Sequence, residues 1–307
     1  MPDRQGPSRI LIVAALAVSG AAAPAWSSCP AGLPAEPAFH LPVEKLVPVA
    51  STLADHIAKK AIQSGAANGV ETRRLADVRL DPKVNYNFRV YTPLSAIPAR
   101  VQNAFVAAGE LPTRAEIESV KRRQLDCLET EVHKFMSAWL KLAVEAAKNK
   151  RRPEKPAGLV PDSAVLTIRS FAHEFLTPED RDGVFKRDAR RRGSEEIIAY
   201  LIIKSEKVTV DQFIEFSLNI HYLGRGSYGI TAASMNYFGK PADRLSLAQA
   251  AYLAGLLRGP NNYHPVRKAA QAIERRNWVI DQMQLRSFIS EAEARSAKAE
   301  PLNVKVK

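Results

Sequence analysis

Apolar residues recur at three- and four-residue steps along most of this chain and seldom alternate with polar ones, which is the helical period. Leu46, Val49, Leu53, Ile57 and Ile62 set out a first helix, which "SGAANG" (64–69) stops. "RVYTPLSAIPARVQNAFVAAGELP" begins extended and turns helical after Pro98, a proline in first-turn position. Val101, Phe105 and Ala108 share its inner face. Thr113 with Glu116 reads as a capping box. The stripe Ile117, Val120, Leu128, Val132, Phe135, Trp139 and Leu142 then predicts one long helix over 113–149. "NKRRPEKPAGLVPDS" breaks it with three prolines and four basic residues, an exposed connector. "SAVLTIRSFAHEFL" is helical again, and Thr177-Pro178-Glu179-Asp180 is a further start signal. Thr209 with Gln212 caps a helix carrying Phe213, Phe216 and Leu218, and Ser246 with Gln249 caps one carrying Ala250, Leu253 and Leu256. A last helix is expected over 266–285 with Ile273, Val279 and Met283 inward, and Trp139 and Trp278 are placed in the core. There is no repeat and little strand signal, so the fold class is mainly α.

At 46% hydrophobic and 25% charged, the composition is globular. Lys plus Arg number 44 against 32 Asp plus Glu, a net charge of +12. Such a surface attracts nucleic acid, anionic lipid or phosphorylated ligands. The N-terminus selects among them. Arg4 and Arg9 precede the apolar run "ILIVAALAVSGAAA", and Ala23-Pro24-Ala25 is a small-x-small site, the secretory pattern. An uncleaved anchor is the alternative, although the run is short for a span. The expected location is outside the cytoplasm, in the periplasm or on the outer face of the inner membrane, so nucleic acid is not an expected partner. The expected organisation is a signal peptide (1–25), a leader with a short helix (26–70), one domain (71–290) with the inserted helix 113–149 and linker 150–162, and a tail (291–307). Cys29 and Cys127 either pair or leave Cys29 free. With no CxxC and no His/Cys cluster, structural zinc is not expected.

One stretch, "FSLNIHYLGRGSYGITAASMNYFGKP" (216–241), holds a glycine loop between two helical patterns. Gly224, Gly226 and Gly229 remove side chains where a backbone turns or approaches something closely. In its wider context, 211–283, it resembles the second half of a family 51 glycosyltransferase, the peptidoglycan glycosyltransferases. The likeness runs through Ile214-Glu215, Leu218-Asn219, the loop 224–229, Ala232-Ala233, Tyr237 to Lys240, Leu247 to Ala251, Pro260 to Pro265 and Arg275-Arg276.

The resemblance implies a lysozyme-like helical domain that joins lipid-linked disaccharides, with lipid pyrophosphate leaving. Lipid II or a glycan strand, a membrane surface and other cell-wall synthesis proteins are the implied partners. Upstream, "YTPLSAIPARVQNAFVAAGE" is similar to the family's entry helix, but Gly109 stands where the family has its proposed general base and Glu110 follows. A one-residue shift turns a helical side chain by about 100°, which would aim Glu110 elsewhere. The family's Gly-x-Ser-x-x-Thr-Gln-Gln motif falls at "SAVLTIRS" (163–170) and is essentially lost. Its Arg-Lys-x-x-Glu motif persists as Arg191-Arg192-Gly193-Ser194-Glu195. The family sets that motif at the donor pyrophosphate, sometimes with a divalent metal such as Mg2+ or Mn2+.

The implied catalytic residues are therefore Glu110 and Glu195. The implied substrate-binding residues are Arg191, Arg192, Glu215, Asn219, Gly224, Gly226, Gly229 and Lys240, with Arg244 a further cation. His221 and His264, lacking partners at ligand spacing, read as structural. Three functions follow: a divergent polymerase, a non-catalytic relative that binds precursor or glycan, and a glycan hydrolase, which would need two carboxyls flanking one bond. No penicillin-binding serine motif is seen, so cross-linking is not expected.

Overall fold

The computed structural model describes residues 43–59, 71–123, 128–151, 158–175 and 190–305. The expected signal peptide, both cysteines, the Thr177–Asp180 start signal and the Arg191 side chain lie outside the described residues. Eleven α-helices and two short strands make up the described part. The chain divides into two compact units, 1–55 with 114–208, and 56–113 with 209–307. The second is therefore discontinuous in sequence, with most of the first inserted into it.

Helix α1 (Val43–Ala58) runs through the end of the first segment and buries Leu46, Ala50, Leu53, Ala54 and Ile57, one stripe at helical spacing. In the first unit, α3 (Arg114–Arg122), α4 (Leu128–Lys148) and α5 (Asp162–Phe175) pack on α6 (Arg190–Lys204). Ile197, Ile198, Ala199, Tyr200, Ile202 and Ile203 of α6 are all buried, the signature of a helix enclosed on every side.

The single helix expected over 113–149 is two. Helix α3 ends at Arg122 and α4 begins at Leu128, with 124–127 outside the described residues. Lys204 Nζ donates to the carbonyls of Lys121 (2.7 Å) and Arg123 (3.3 Å). In α4, Leu128, Val132, Phe135 and Met136 are buried, whereas Leu142, expected inside, is 40% exposed beside Leu140 and Val144.

In the second unit, β1 (Thr72–Arg74) and β2 (Arg89–Tyr91) form a parallel pair with Thr72 opposite Arg89 and Arg74 opposite Tyr91. Beyond β2, α2 (Ala99–Ala107) follows Pro98, which stands just before the first turn. Then come α7 (Val210–Ile220), α8 (Ile230–Phe238), α9 (Leu247–Leu256), α10 (Ala269–Leu285) and α11 (Glu291–Ala299). The expected capping boxes at Thr209/Gln212 and Ser246/Gln249 are both formed.

Helix α2 packs on α9 and α10. The face of α9 is small, and a side chain at Gly255 would meet Arg275 Cγ at 3.0 Å, so the two helices close tightly. On α10, Val279 and Met283 are buried as expected, but Ile273 is 38% exposed and Trp278 42%, both expected inside. The core-facing stripe is instead Ala272, Arg276, Val279, Ile280 and Met283. Arg276 is tolerated there because Lys298 and Glu300 present carbonyls to its guanidinium at 3.0 and 2.6 Å. The expected C-terminal tail is in fact α11, opened by a Ser290/Glu293 capping box. After α11, the Lys305 amide bonds Tyr237 O at 2.8 Å and the Lys305 carbonyl accepts from Arg225 at 2.8 Å. No described helix is long and apolar enough to cross a membrane.

Candidate active site

Helix α2 ends in a reversed turn that decides where Glu110 points. Gly109 N–H bonds Val106 O at 3.0 Å, Glu110 N–H bonds Phe105 O at 3.1 Å, and Gly109 has φ +76°. Both residues are already off the helix, so the 100° rotation argued from sequence does not apply. The turn carries Glu110 inward, where it is 6% exposed and its Oε1 lies 3.7 Å from Arg275 Nη2. Arg275 also reaches Ala108 O at 3.4 Å, and its guanidinium lies 4.2 Å over the Trp278 ring. Burial pushes the Glu110 carboxyl above the usual range, while Arg275 and Arg258 pull against it. A carboxylate so placed is an ion-pair partner first. Its lifted pKa also suits a proton carrier.

Glu215, a substrate-binding residue by the resemblance, is buried on α7. It takes the Tyr91 hydroxyl and, at 2.7 Å, the Leu94 N–H. Burial and then Glu215 push the Tyr91 hydroxyl well up, so it stays a donor. One turn on, Asn219 accepts from Thr92 N–H and donates to Thr92 O, 2.8 Å each, and donates to Glu215 O at 2.7 Å. Both side chains thus brace the chain leaving β2.

The glycine loop is a hairpin closed by Leu223 N–H to Ser227 O and Gly229 N–H to His221 O, 2.9 Å each. A Cβ at Gly229 would stand 2.5 Å from Asn219 O, and its φ is +78°. At Gly224 a Cβ would meet the Tyr237 hydroxyl at 2.7 Å, whereas nothing lies within 4 Å at Gly226. Two of the three glycines therefore serve packing, and Gly226 alone opens outward. Below the loop His221 is buried, with Nδ1 on Ser217 O and Nε2 without a partner. Burial lowers its pKa to about 4. His264, half-buried, instead accepts the Val266 and Arg267 N–H groups at 3.2 Å. Lys240 and Arg244 are exposed.

The first unit holds the remaining candidates. Glu195 is fully buried and receives Arg169 through two bonds, 2.9 and 2.8 Å. Arg192 lies 3.8 Å from Glu195, 3.0 Å from Glu196 and 2.6 Å from Asp162. Glu196 in turn takes the N–H groups of Leu159 and Val160, 3.1 Å each, over Gly158, where a Cβ would come within 2.8 Å of its carboxylate. Burial lowers the Arg192 guanidinium while Glu196 and Glu195 hold it up, and the bond to Glu195 raises Arg169. These groups pair with one another, although Arg192 Nε is buried without a hydrogen-bond partner. Arg192 points at carboxylates, so its free charge toward a pyrophosphate is much reduced. Among the described residues no three His, Cys, Asp or Glu side chains gather as a metal site. With Glu195 held by guanidinium, the described donors do not fit Mg2+ or Mn2+.

A family model described as transglycosylase matches residues 172–284, from α5 to the end of α10. The chain carries a transglycosylase-family domain. Penicillin-binding protein 1A of Rickettsia felis is 36% identical over 226 residues, 74% of this chain and 25% of that protein. Penicillin-binding protein 1A of Pseudomonas aeruginosa is 35% identical over 140 residues, 46% of this chain and 16% of that protein. Penicillin-binding protein 2D of Bacillus subtilis is 39% identical over 104 residues, 34% of this chain and 15% of that protein. The chain thus spans a quarter or less of these relatives' length. This transglycosylase-type domain is mainly α, the lysozyme-like helical class expected. The matched span contains the Arg191–Glu195 motif and the glycine loop, and leaves out Glu110 and Arg169.

Sequence reading missed three partners: Arg169 for Glu195, Glu196 beside it, and Arg275 for Glu110. Arg169 and Arg275 were visible as cations in helical patterns. Nothing local in the sequence tied them to carboxylates 26 and 165 positions away.

Proposed function

We propose that this chain is a divergent peptidoglycan glycosyltransferase-type protein of cell-wall biogenesis that engages lipid II or glycan strands, with recognition outweighing turnover. Its place would be the periplasm or the outer face of the inner membrane. The observation that carries the reading is Gly109: the position of the family's base is a left-handed glycine turn, and the following carboxylate is paired with Arg275. Lack of a positioned base typically costs about 10²–10⁴-fold in rate. Exposed Leu140, Leu142 and Val144 on α4, with Lys141 and Lys148, support contact with a membrane surface. A second reading, polymerisation with Glu110 as base, is favoured by the upward pull of burial on its pKa. Glu195, fully paired with arginines, is the weaker candidate for proton chemistry.

The test is polymerisation and binding of labelled lipid II by the purified protein, with wild type, Glu110→Gln and Gly109→Glu in parallel. Saturable binding by wild type with little polymer is the expected result. The Cβ of a residue at 109 meets nothing, so Gly109→Glu costs only the left-handed strain of about 1–2 kcal/mol. Robust wild-type polymer that Glu110→Gln abolishes would establish the second reading instead. Absence of lipid II binding would remove both.

A further inference from the structure

Helix α10 carries a second feature that neither the family motif nor Glu110 uses. Opposite its buried stripe, Ala270, Ile273, Glu274, Asn277, Trp278 and Asp281 line an open groove of about 630 Å3. Trp278 and Ile273 leave 42% and 38% of their surface in water there. An indole offers more apolar surface than any other side chain, and one face of this ring is already fixed by Arg275 at 4.2 Å. Its remaining surface belongs to the groove.

The polar groups around the ring are arranged for hydroxyls. Glu274 precedes Trp278 by four residues and Asp281 follows it by three, which a helix sets about 6 Å and 4.5 Å along its axis. That brackets a six-membered sugar ring. Asn277 Oδ1 is taken by Arg276 at 3.0 and 2.9 Å, which turns its amide nitrogen into the available donor. Charge narrows the ligand further. The lining carries two carboxylates, Glu274 and Asp281, and of these Asp281 is paired with Lys298. On a chain of net charge +12, this groove is a locally acidic spot. Its carboxylates can accept from the hydroxyls of a polyol, and they give no advantage to a polyanion.

We propose that the Trp278 groove is a carbohydrate subsite that takes an uncharged pyranose of a glycan. The apolar face of the sugar lies on the indole. Its hydroxyls donate to Glu274 and Asp281 and accept from the Asn277 amide. The subsite touches the candidate turnover residues only through Arg275, which lies on Trp278 and pairs with Glu110, and it would hold a strand rather than react with it.

The experiment is a titration of the ¹⁵N-labelled full chain with chitotetraose, a soluble neutral oligosaccharide. The readout is the set of indole N–H resonances, with Trp278 assigned from its loss in Trp278→Phe. Expected is a saturable shift of the Trp278 resonance with Kd on the order of 1 mM, while the other indoles stay put. In the variants, which lack that indole, binding is read from the backbone amides of Ile273, Asn277 and Asp281, and Trp278→Ala should weaken it at least tenfold, roughly the loss of one stacked ring. Trp278→Phe, which keeps a ring, should lose less than about threefold. No Trp278 shift in a well-dispersed spectrum, or equal binding by Trp278→Ala, overturns the proposal. So does a response to anionic phospholipid vesicles or a lysine-rich peptide with none to chitotetraose. The titration needs neither lipid II nor turnover, so it stands or falls apart from the function proposed above.

Discussion

Acid should loosen this protein through one histidine. His221 closes α7 under the glycine loop, and its Nδ1–H donates to Ser217 O, which leaves Nε2 bare, buried and without an acceptor in reach. A second proton would put a charge there with nowhere to bond. Burial accordingly lowers the pKa from 6.5 to about 4. In the unfolded chain the same group titrates near 6.5, so between these values the unfolded state binds more protons and stability falls as pH falls. Over the full interval of about 2.5 units the linkage amounts to about 3.4 kcal/mol, and going from pH 7 to pH 4.5 realises about 2.4 of it.

Other groups titrate in this range too. Glu110, held above its ordinary value, works in the opposite direction. The comparison must therefore be with His221→Asn, whose amide keeps a donor for Ser217 O and cannot be protonated. Urea unfolding by far-UV circular dichroism at both pH values, with unchanged m, gives the two differences. Wild type should lose about 2 kcal/mol more than the variant on acidification. Equal losses would refute the reasoning and mean that Nε2 finds an acceptor when charged.

Two further outcomes test the packing. Gly229→Ala combines a positive φ with a Cβ 2.5 Å from Asn219 O, so it should lower stability by more than about 2 kcal/mol in thermal or urea unfolding. Glu195→Gln leaves Arg169 and Arg192 facing a neutral amide. With Arg169 41% exposed, the loss should be about 2–3 kcal/mol, below that for a fully buried pair, and a loss under about 0.5 would show that water already screens the cluster.

What was readable in the sequence was local. The capping boxes at Thr209 and Ser246 and the inner face of α2 follow from neighbours three and four residues apart, and they formed as expected. The box at Ser290 was equally local, but a helix with so few apolar residues passes for a tail. The break after α3 was not readable, because its cap is Lys204, 83 positions beyond Lys121. Nor was the inward stripe of α10, since a rule that keeps arginine out of the core rejects Arg276. Only the carbonyls of Lys298 and Glu300 overturn that rule. At the candidate site the motif letters located Glu195, Glu215 and Asn219. Their roles depended on which distant groups met them, and these turned out to be arginines, a tyrosine hydroxyl and backbone amides.

The divided second unit has a consequence for how the chain is made. Helix α2 leaves the ribosome with Val101, Ala104 and Phe105 ready to bury, yet α9 and α10, which cover them, come more than a hundred residues later. At about 5–20 residues per second, that face waits on the order of 10 s while the inserted unit is synthesised. For that interval a nascent helix with an uncovered apolar side is open to chaperones or to another chain. Yield on overproduction should then depend on how fast translation delivers the C-terminal third, and on how dilute the unfinished chains are kept until it arrives.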